Sequence, residues 1–161
     1  MAISSPTDYH PAYGHPITTL NSTPPPLPSP PIMVRWYPPP LGTFKLNFDG
    51  SSKSSSAAAG IIIRNNEGIS ISACTFNLGQ TQAFMAEAIA LHKGLQEARR
   101  LQIDNLLIEG DNLLIINAVK GVWSTPWKIS NIISDIKHLL TLFTTWISST
   151  FSEKQIRLQI G

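Results

Sequence analysis

Cysteine is almost absent from this chain: Cys74 alone occurs in 161 residues, which excludes an internal disulfide framework and any multi-cysteine metal site and fits a reducing compartment. Cys74 itself reads as a buried structural thiol. Charge is also scarce, at 14% of residues against about 25% in an ordinary globular protein. The formal net charge of +2 comes without a basic cluster, so composition permits contact with a polyanion and does not demand it. No apolar run approaches the roughly 18 residues that would cross a bilayer, and the N-terminus lacks the basic start and apolar stretch of a secretory signal. A soluble, intracellular, monomeric protein without membrane contact is expected. Beyond residue 40 proline is nearly missing too, since of 13 prolines only Pro126 lies there. Two parts follow: a Pro-rich beginning and about 120 residues, enough for one domain with its own core.

The beginning culminates in Pro24-Pro25-Pro26-Leu27-Pro28-Ser29-Pro30-Pro31, which lacks the backbone donors of a helix or central strand, so residues 1–35 are expected to be a disordered tail. From Thr43 the pattern changes. Phe44, Leu46 and Phe48 alternate with Lys45, Asn47 and Asp49, predicting a half-buried strand that ends at Asp49. Ala57 to Arg64 and Ile69 to Asn77 read as two more strands joined by a turn at Asn65-Asn66-Glu67-Gly68, giving an antiparallel meander. Phe84, Ala88, Leu91, Leu95 and Ala98 then recur at helical spacing over residues 82–101. Asn105 to Glu109 returns to strand composition, Leu113 to Val119 reads as a short helix closed by Gly121, Ile129 to Phe143 as a further helix, and Thr144 to Phe151 as a fifth strand. The expected class is α/β, with a five-stranded mixed sheet and helices packed on it.

Three carboxylates occupy places where chemistry could be done. Asp49 ends the first strand on the face opposite Phe44, Leu46 and Phe48, with Gly50 behind it, although Asp-Gly is also a common turn. Glu87 projects from the small, apolar face of its helix, three residues after Phe84 and four before Leu91, where a carboxylate is costly unless a cation or donor compensates it. The alternative is a glutamate reaching out from the edge of the stripe. Asp111 follows the fourth strand and precedes a helix, where Asp is a preferred N-cap, a role compatible with ligation because one oxygen can cap while the other binds metal. Glu109 shares its parity in the strand and reads as a solvated surface residue. Asp49, Glu87 and Asp111 can converge, and an all-oxygen donor set suits Mg²⁺ or Mn²⁺. His92 and His138 lie in helical stretches and read as packing or surface residues, and Trp123, Trp127 and Trp146 as core or loop anchors.

The chain resembles the ribonuclease H-like domains of plants, which are related to the ribonuclease H modules of non-LTR retroelement reverse transcriptases. The likeness is carried by Trp36-Tyr37-Pro38-Pro39-Pro40-Leu41-Gly42-Thr43-Phe44-Lys45-Leu46-Asn47-Phe48-Asp49-Gly50, by Ala59-Gly60-Ile61-Ile62-Ile63-Arg64-Asn65, by Ala86-Glu87-Ala88-Ile89-Ala90-Leu91 and by Ile108-Glu109-Gly110-Asp111-Asn112. It covers residues 36–151. The resemblance implies a ribonuclease H-like fold and a metal site of which Asp49, Glu87 and Asp111 are the first three acids. It implies cleavage of the RNA strand of an RNA–DNA hybrid by two Mg²⁺ ions, with Asp49 shared between them, Glu87 near the attacking water and ribose, and Asp111 completing the first ion's shell. Such domains read a hybrid by backbone shape and 2′-hydroxyls.

After the fifth strand the likeness breaks. The family continues into a helix bearing a fourth acid, whereas this chain reads Phe151-Ser152-Glu153-Lys154-Gln155-Ile156-Arg157-Leu158-Gln159-Ile160-Gly161. A one-base shift with suitable synonymous codons turns that stretch into F-R-E-A-N-Q-A-A-D-W, the family's own pattern. Residues 152–161 are therefore expected to be a frame-altered or divergent tail, with the final catalytic helix missing. The competing expectation for function is a noncatalytic nucleic-acid-binding or protein-interaction module, a retroelement remnant.

Overall fold

The structure is a computed structural model that describes residues 36–150. The Pro-rich tail and the residues 152–161 of the preceding expectations lie outside the described residues.

Five strands and three helices follow in the order β1 (Phe44–Lys53), β2 (Ser56–Arg64), β3 (Ser70–Gly79), α1 (Ala83–Arg100), β4 (Asn105–Gly110), α2 (Leu113–Lys120), α3 (Ser130–Leu140) and β5 (Thr145–Thr150), with a short 3-10 turn, Trp127–Ile129, ahead of α3. The sheet order is β3-β2-β1-β4-β5. β1, β2 and β3 pair antiparallel as a meander, while β1 with β4 and β4 with β5 pair parallel. The mixed sheet expected from the alternation of strand and helix patterns is thus the observed one.

The turn between β2 and β3 forms because Asn65 folds back on its own backbone: its Oδ1 accepts from Glu67 N at 3.0 Å and Ile69 N at 2.9 Å, and Gly68 takes a φ of +84°. One face of the sheet, carrying Leu46, Phe48, Ala59, Ile61, Ile63, Leu106 and Ile108, buries against Ala88, Leu91, Leu95 and Ala98 of α1 and against Ile115, Ile116, Ile133 and Ile136 of α2 and α3. Two glycines set how closely this face is packed. A Cβ on Gly94 of α1 would stand 2.7 Å from Leu46 Cδ1, and one on Gly110 would stand 2.3 Å from the Phe48 ring.

Two local readings are corrected. β1 does not end at Asp49 but continues to Lys53, and Gly50 is not a turn residue. It stays paired with Ala59 of β2, and its missing side chain serves a close approach by α1, described below. The opposite face of β1 is not simply solvated either. Lys45 is 1% exposed, because Trp36 lies over it and Glu109 lies beside it.

Candidate metal centre

Asp49 stands within β1, Glu87 on the first turns of α1, and Asp111 immediately after β4. The three carboxylates each present an oxygen, and these oxygens lie within 4.8 Å of one another. That spread is close to the roughly 4 Å separating opposite ligands on an ion with 2.1 Å bonds. Each of the three acids singled out in the sequence is therefore brought to one place.

Glu87 is held there by the backbone of Gly50. A Cβ at position 50 would lie 2.3 Å from Glu87 N and 2.4 Å from Ala86 C, so only glycine admits α1 this close to β1. Glu87 is 6% exposed among Ala86, Ala88, Ala90 and Leu91, and among the described residues its Oε2 has no hydrogen-bond partner. Burial, then the neighbouring Asp111 and Asp49 carboxylates, push its pKa from 4.5 up to about 8, against a lowering contribution from the Gly50 backbone. A buried carboxylate with an orphaned oxygen and two anionic neighbours is under-compensated by the protein alone. A divalent cation among the three oxygens would supply what is missing, so the donor set fits Mg²⁺ or Mn²⁺.

Asp111 is exposed and leaves the capping of α2 to its neighbour. Asn112 Oδ1 accepts from Leu114 N at 3.1 Å and from Ile115 N at 3.3 Å, and the helix closes at Gly121 with a φ of +73°. The N-cap alternative for Asp111 is resolved in favour of Asn112. Asp49 and Asp111, with Asn47, Gly60, Ile62 and Thr75, line an open cavity of about 650 Å³ on the sheet.

Glu109 is not the solvated residue that its sequence suggested. It is 2% exposed and sits 3.1 Å from Lys45 Nζ, while its Oε2 accepts from Asn47 Nδ2 at 3.2 Å. Parity gave its direction correctly, but an apolar-to-polar alternation cannot reveal that the polar face is covered. The tryptophans divide: Trp146 packs against the core, whereas Trp127 is 81% and Trp123 49% exposed on the connection between α2 and α3. Neither of these two is a core anchor. Cys74 is half-buried in β3, and among the described residues no helix is long and apolar enough to cross a membrane.

Comparison with known proteins places this geometry. A profile of the reverse transcriptase-like family matches residues 47–155. Ribonuclease H1 from the halophilic archaeon Halobacterium salinarum is similar with a TM-score of 0.64 and 24% identity, over 67% of this chain and 84% of that one. LC11-RNase H1, isolated from compost by a metagenomic approach and solved in complex with an RNA/DNA hybrid, gives a TM-score of 0.63 at 18% identity over 71% and 89% of the two chains. The foamy viral protease-reverse transcriptase in complex with an RNA/DNA hybrid gives 0.56 at 17% identity, over 82% of this chain and 21% of that one. No curated protein matches the sequence. The profile spans most of β1 through β5, the solved structures share the fold, and the chain belongs to the reverse transcriptase-like family with a ribonuclease H-like fold.

Proposed function

We propose that this domain binds RNA–DNA hybrid and hydrolyses its RNA strand with divalent cations held by Asp49, Glu87 and Asp111. The observation that carries the reading is the convergence of three carboxylate oxygens within 4.8 Å around the buried, unpartnered Oε2 of Glu87. Relatives of the same fold have been solved with RNA/DNA hybrid bound, which supports the substrate class. When bound, Mg²⁺ or Mn²⁺ would supply an activated water and stabilise charge on the leaving oxygen, the chemistry of phosphodiester cleavage to a 3′-hydroxyl and a 5′-phosphate.

The protein's own part is placement. Asp49 on the central strand, Glu87 on α1 and Asp111 after β4 would hold the cations; Asp49 would serve as the common ligand, Glu87 would stand towards the water and the ribose, and Asp111 would complete the ligand set. Trp123 and Trp127, flanked by Lys120 and Lys128, offer aromatic faces and positive charge after α2 for the nucleic-acid backbone and bases. With a formal net charge of only +2, affinity for the hybrid is expected to be modest.

The test uses the full chain with an RNA–DNA hybrid labelled on the RNA strand, in Mg²⁺, in Mn²⁺ and in chelator. Cleavage that requires the cation and is abolished by Asp49→Asn supports the assignment. Cleavage that survives Asp49→Asn removes it. Hybrid binding without cleavage in either cation favours the noncatalytic module.

A further inference from the structure

Hydrogen-bonded pairing between β1 and β4 stops two residues short of the metal centre. The parallel register runs Phe44 with Leu106, Lys45 with Leu107, Leu46 with Ile108 and Asn47 with Glu109, and no later pair joins the two strands. Asp49 lies two residues beyond Asn47, and Asp111 two beyond Glu109. Past this point each strand follows its other neighbour, β1 along β2 to Lys53 and β4 along β5 to Gly110. The last rung is therefore the hydrogen-bonded pairing of β1 with β4 nearest to Asp49 and Asp111, and the side chains on that rung are bonded to each other.

Their bonding spans three strands. Arg64 Nη1 on β2 donates to Asn47 Oδ1 on β1 at 3.1 Å, Asn47 Nδ2 donates to Glu109 Oε2 on β4 at 3.2 Å, and Glu109 Oε1 meets Lys45 Nζ at 3.1 Å. Both ends of the Asn47 amide are committed, so a flipped amide would face a donor with a donor and an acceptor with an acceptor. Lys45 also donates to Tyr37 O, and the Trp36 ring covers the chain, 4.7 Å from Lys45 Nζ and 5.6 Å from the Arg64 guanidinium carbon. A buried ion pair of this kind is poor evidence of stabilisation, since a well-packed apolar replacement is often as stable or more so. What it does supply is a fixed geometry.

We propose that Asn47, bridged to Arg64 and to the Lys45–Glu109 pair, is a positioning residue that sets the distance between Asp49 and Asp111 and so the affinity of the site for a divalent cation. The inference rests on the metal-centre reading above.

The experiment titrates the full chain with Mn²⁺ alone, followed by electron paramagnetic resonance, beside thermal unfolding. Asn47→Leu is expected to weaken Mn²⁺ binding by roughly tenfold, the low end of the range for losing a group bonded directly to a metal ligand, because Asn47 acts on the ligands through the strands. Ile136→Val, a core change on α3 far along the chain from the site, controls for lost stability and is expected to leave Mn²⁺ affinity unchanged. The double change Lys45→Met with Glu109→Leu replaces the ion pair by apolar side chains of similar volume, a kind of replacement often tolerated, and is expected to weaken binding in the same way; combined with Asn47→Leu its effect is expected to be less than additive, because one chain has been cut twice. Unchanged Mn²⁺ affinity in Asn47→Leu, or in the double variant should Asn47→Leu not fold, overturns the positioning role. Wild-type protein that binds no Mn²⁺, or binds it equally well as Asp49→Asn, overturns the metal centre itself and this inference with it.

Discussion

Cation binding at the three carboxylates is expected to expel a proton, and the amount is set by Glu87. Its pKa of about 8 leaves the side chain roughly nine-tenths protonated at pH 7, about half at pH 8 and about a tenth at pH 9. A metal ligand must be deprotonated, so loading the site should release about 0.9 proton at pH 7 and about 0.1 at pH 9, and apparent affinity should rise over the same interval. Titration calorimetry in buffers of different ionisation enthalpy measures that number directly. The same shift has a consequence for the metal-free fold. Between 4.5, its ordinary value, and about 8, Glu87 binds a proton in the folded chain and not in the unfolded one, so stability falls as pH rises through this window. The full cost above pH 8 is at most about 5 kcal/mol, taking 1.36 kcal/mol for each tenfold change. Thermal midpoints without metal should therefore drop from pH 5 to pH 8, Glu87→Gln should flatten that slope, and Mg²⁺ should recover the loss at pH 8. Proton release that is absent at pH 7, or that does not diminish by pH 9, refutes the account of Glu87.

Other substitutions test how the site is built. In Gly50→Ala the new Cβ meets the Ala86–Glu87 backbone at 2.3 to 2.4 Å, so α1 must shift; chemical denaturation should show roughly 1–3 kcal/mol lost and cation titration a weakened site. Gly110→Ala places a Cβ 2.3 Å from Phe48 Cζ, and a loss of similar size, roughly 1–3 kcal/mol, should appear in the urea midpoint. Asn112→Ala removes the cap bonds to Leu114 N and Ile115 N and should cost about 1 kcal/mol, without moving the pKa of Glu87 seen by calorimetric proton release.

Much of this fold was legible because its signals are local. Alternation in Phe44-Lys45-Leu46-Asn47-Phe48, the Asn65 to Gly68 turn and the 3.6-residue recurrence from Phe84 to Ala98 each depend on a few neighbouring side chains, and each element formed where its pattern lies. The three acids were legible for a related reason: Asp49 falls in a strand and Asp111 directly after one, and Glu87 breaks an apolar stripe at a cost that needs explaining. Long-range facts were hidden. Gly50 looked like a turn because Asp-Gly turns are common, and only the packing of α1 shows that the glycine is needed to admit another backbone. Glu109 looked solvated because alternation reports which way a side chain points and cannot report that Lys45 and Asn47 lie against it. Trp127 looked like an anchor because large aromatics usually bury, and nothing local marks it as 81% exposed.

The metal centre is thus constrained from two directions by two kinds of force. On the helix-bearing face the constraint is excluded volume: Gly50 and Gly110 let α1 and the Phe48 ring close in, which fixes Glu87 relative to Asp49. On the other face it is directional bonding: Arg64, Asn47, Glu109 and Lys45 tie β2, β1 and β4 at the last shared rung, which fixes Asp111 relative to Asp49. The two should fail differently. Overpacking at Gly50 displaces the ligand with the raised pKa, so cation binding should weaken together with a changed proton release. Cutting the chain at Asn47 leaves Gly50 and the burial of Glu87, the largest cause of its raised pKa, in place, so binding should weaken with a smaller change in proton release than overpacking at Gly50 produces. If both variants alter proton release alike, the faces do not act separately, and the site relaxes as one unit.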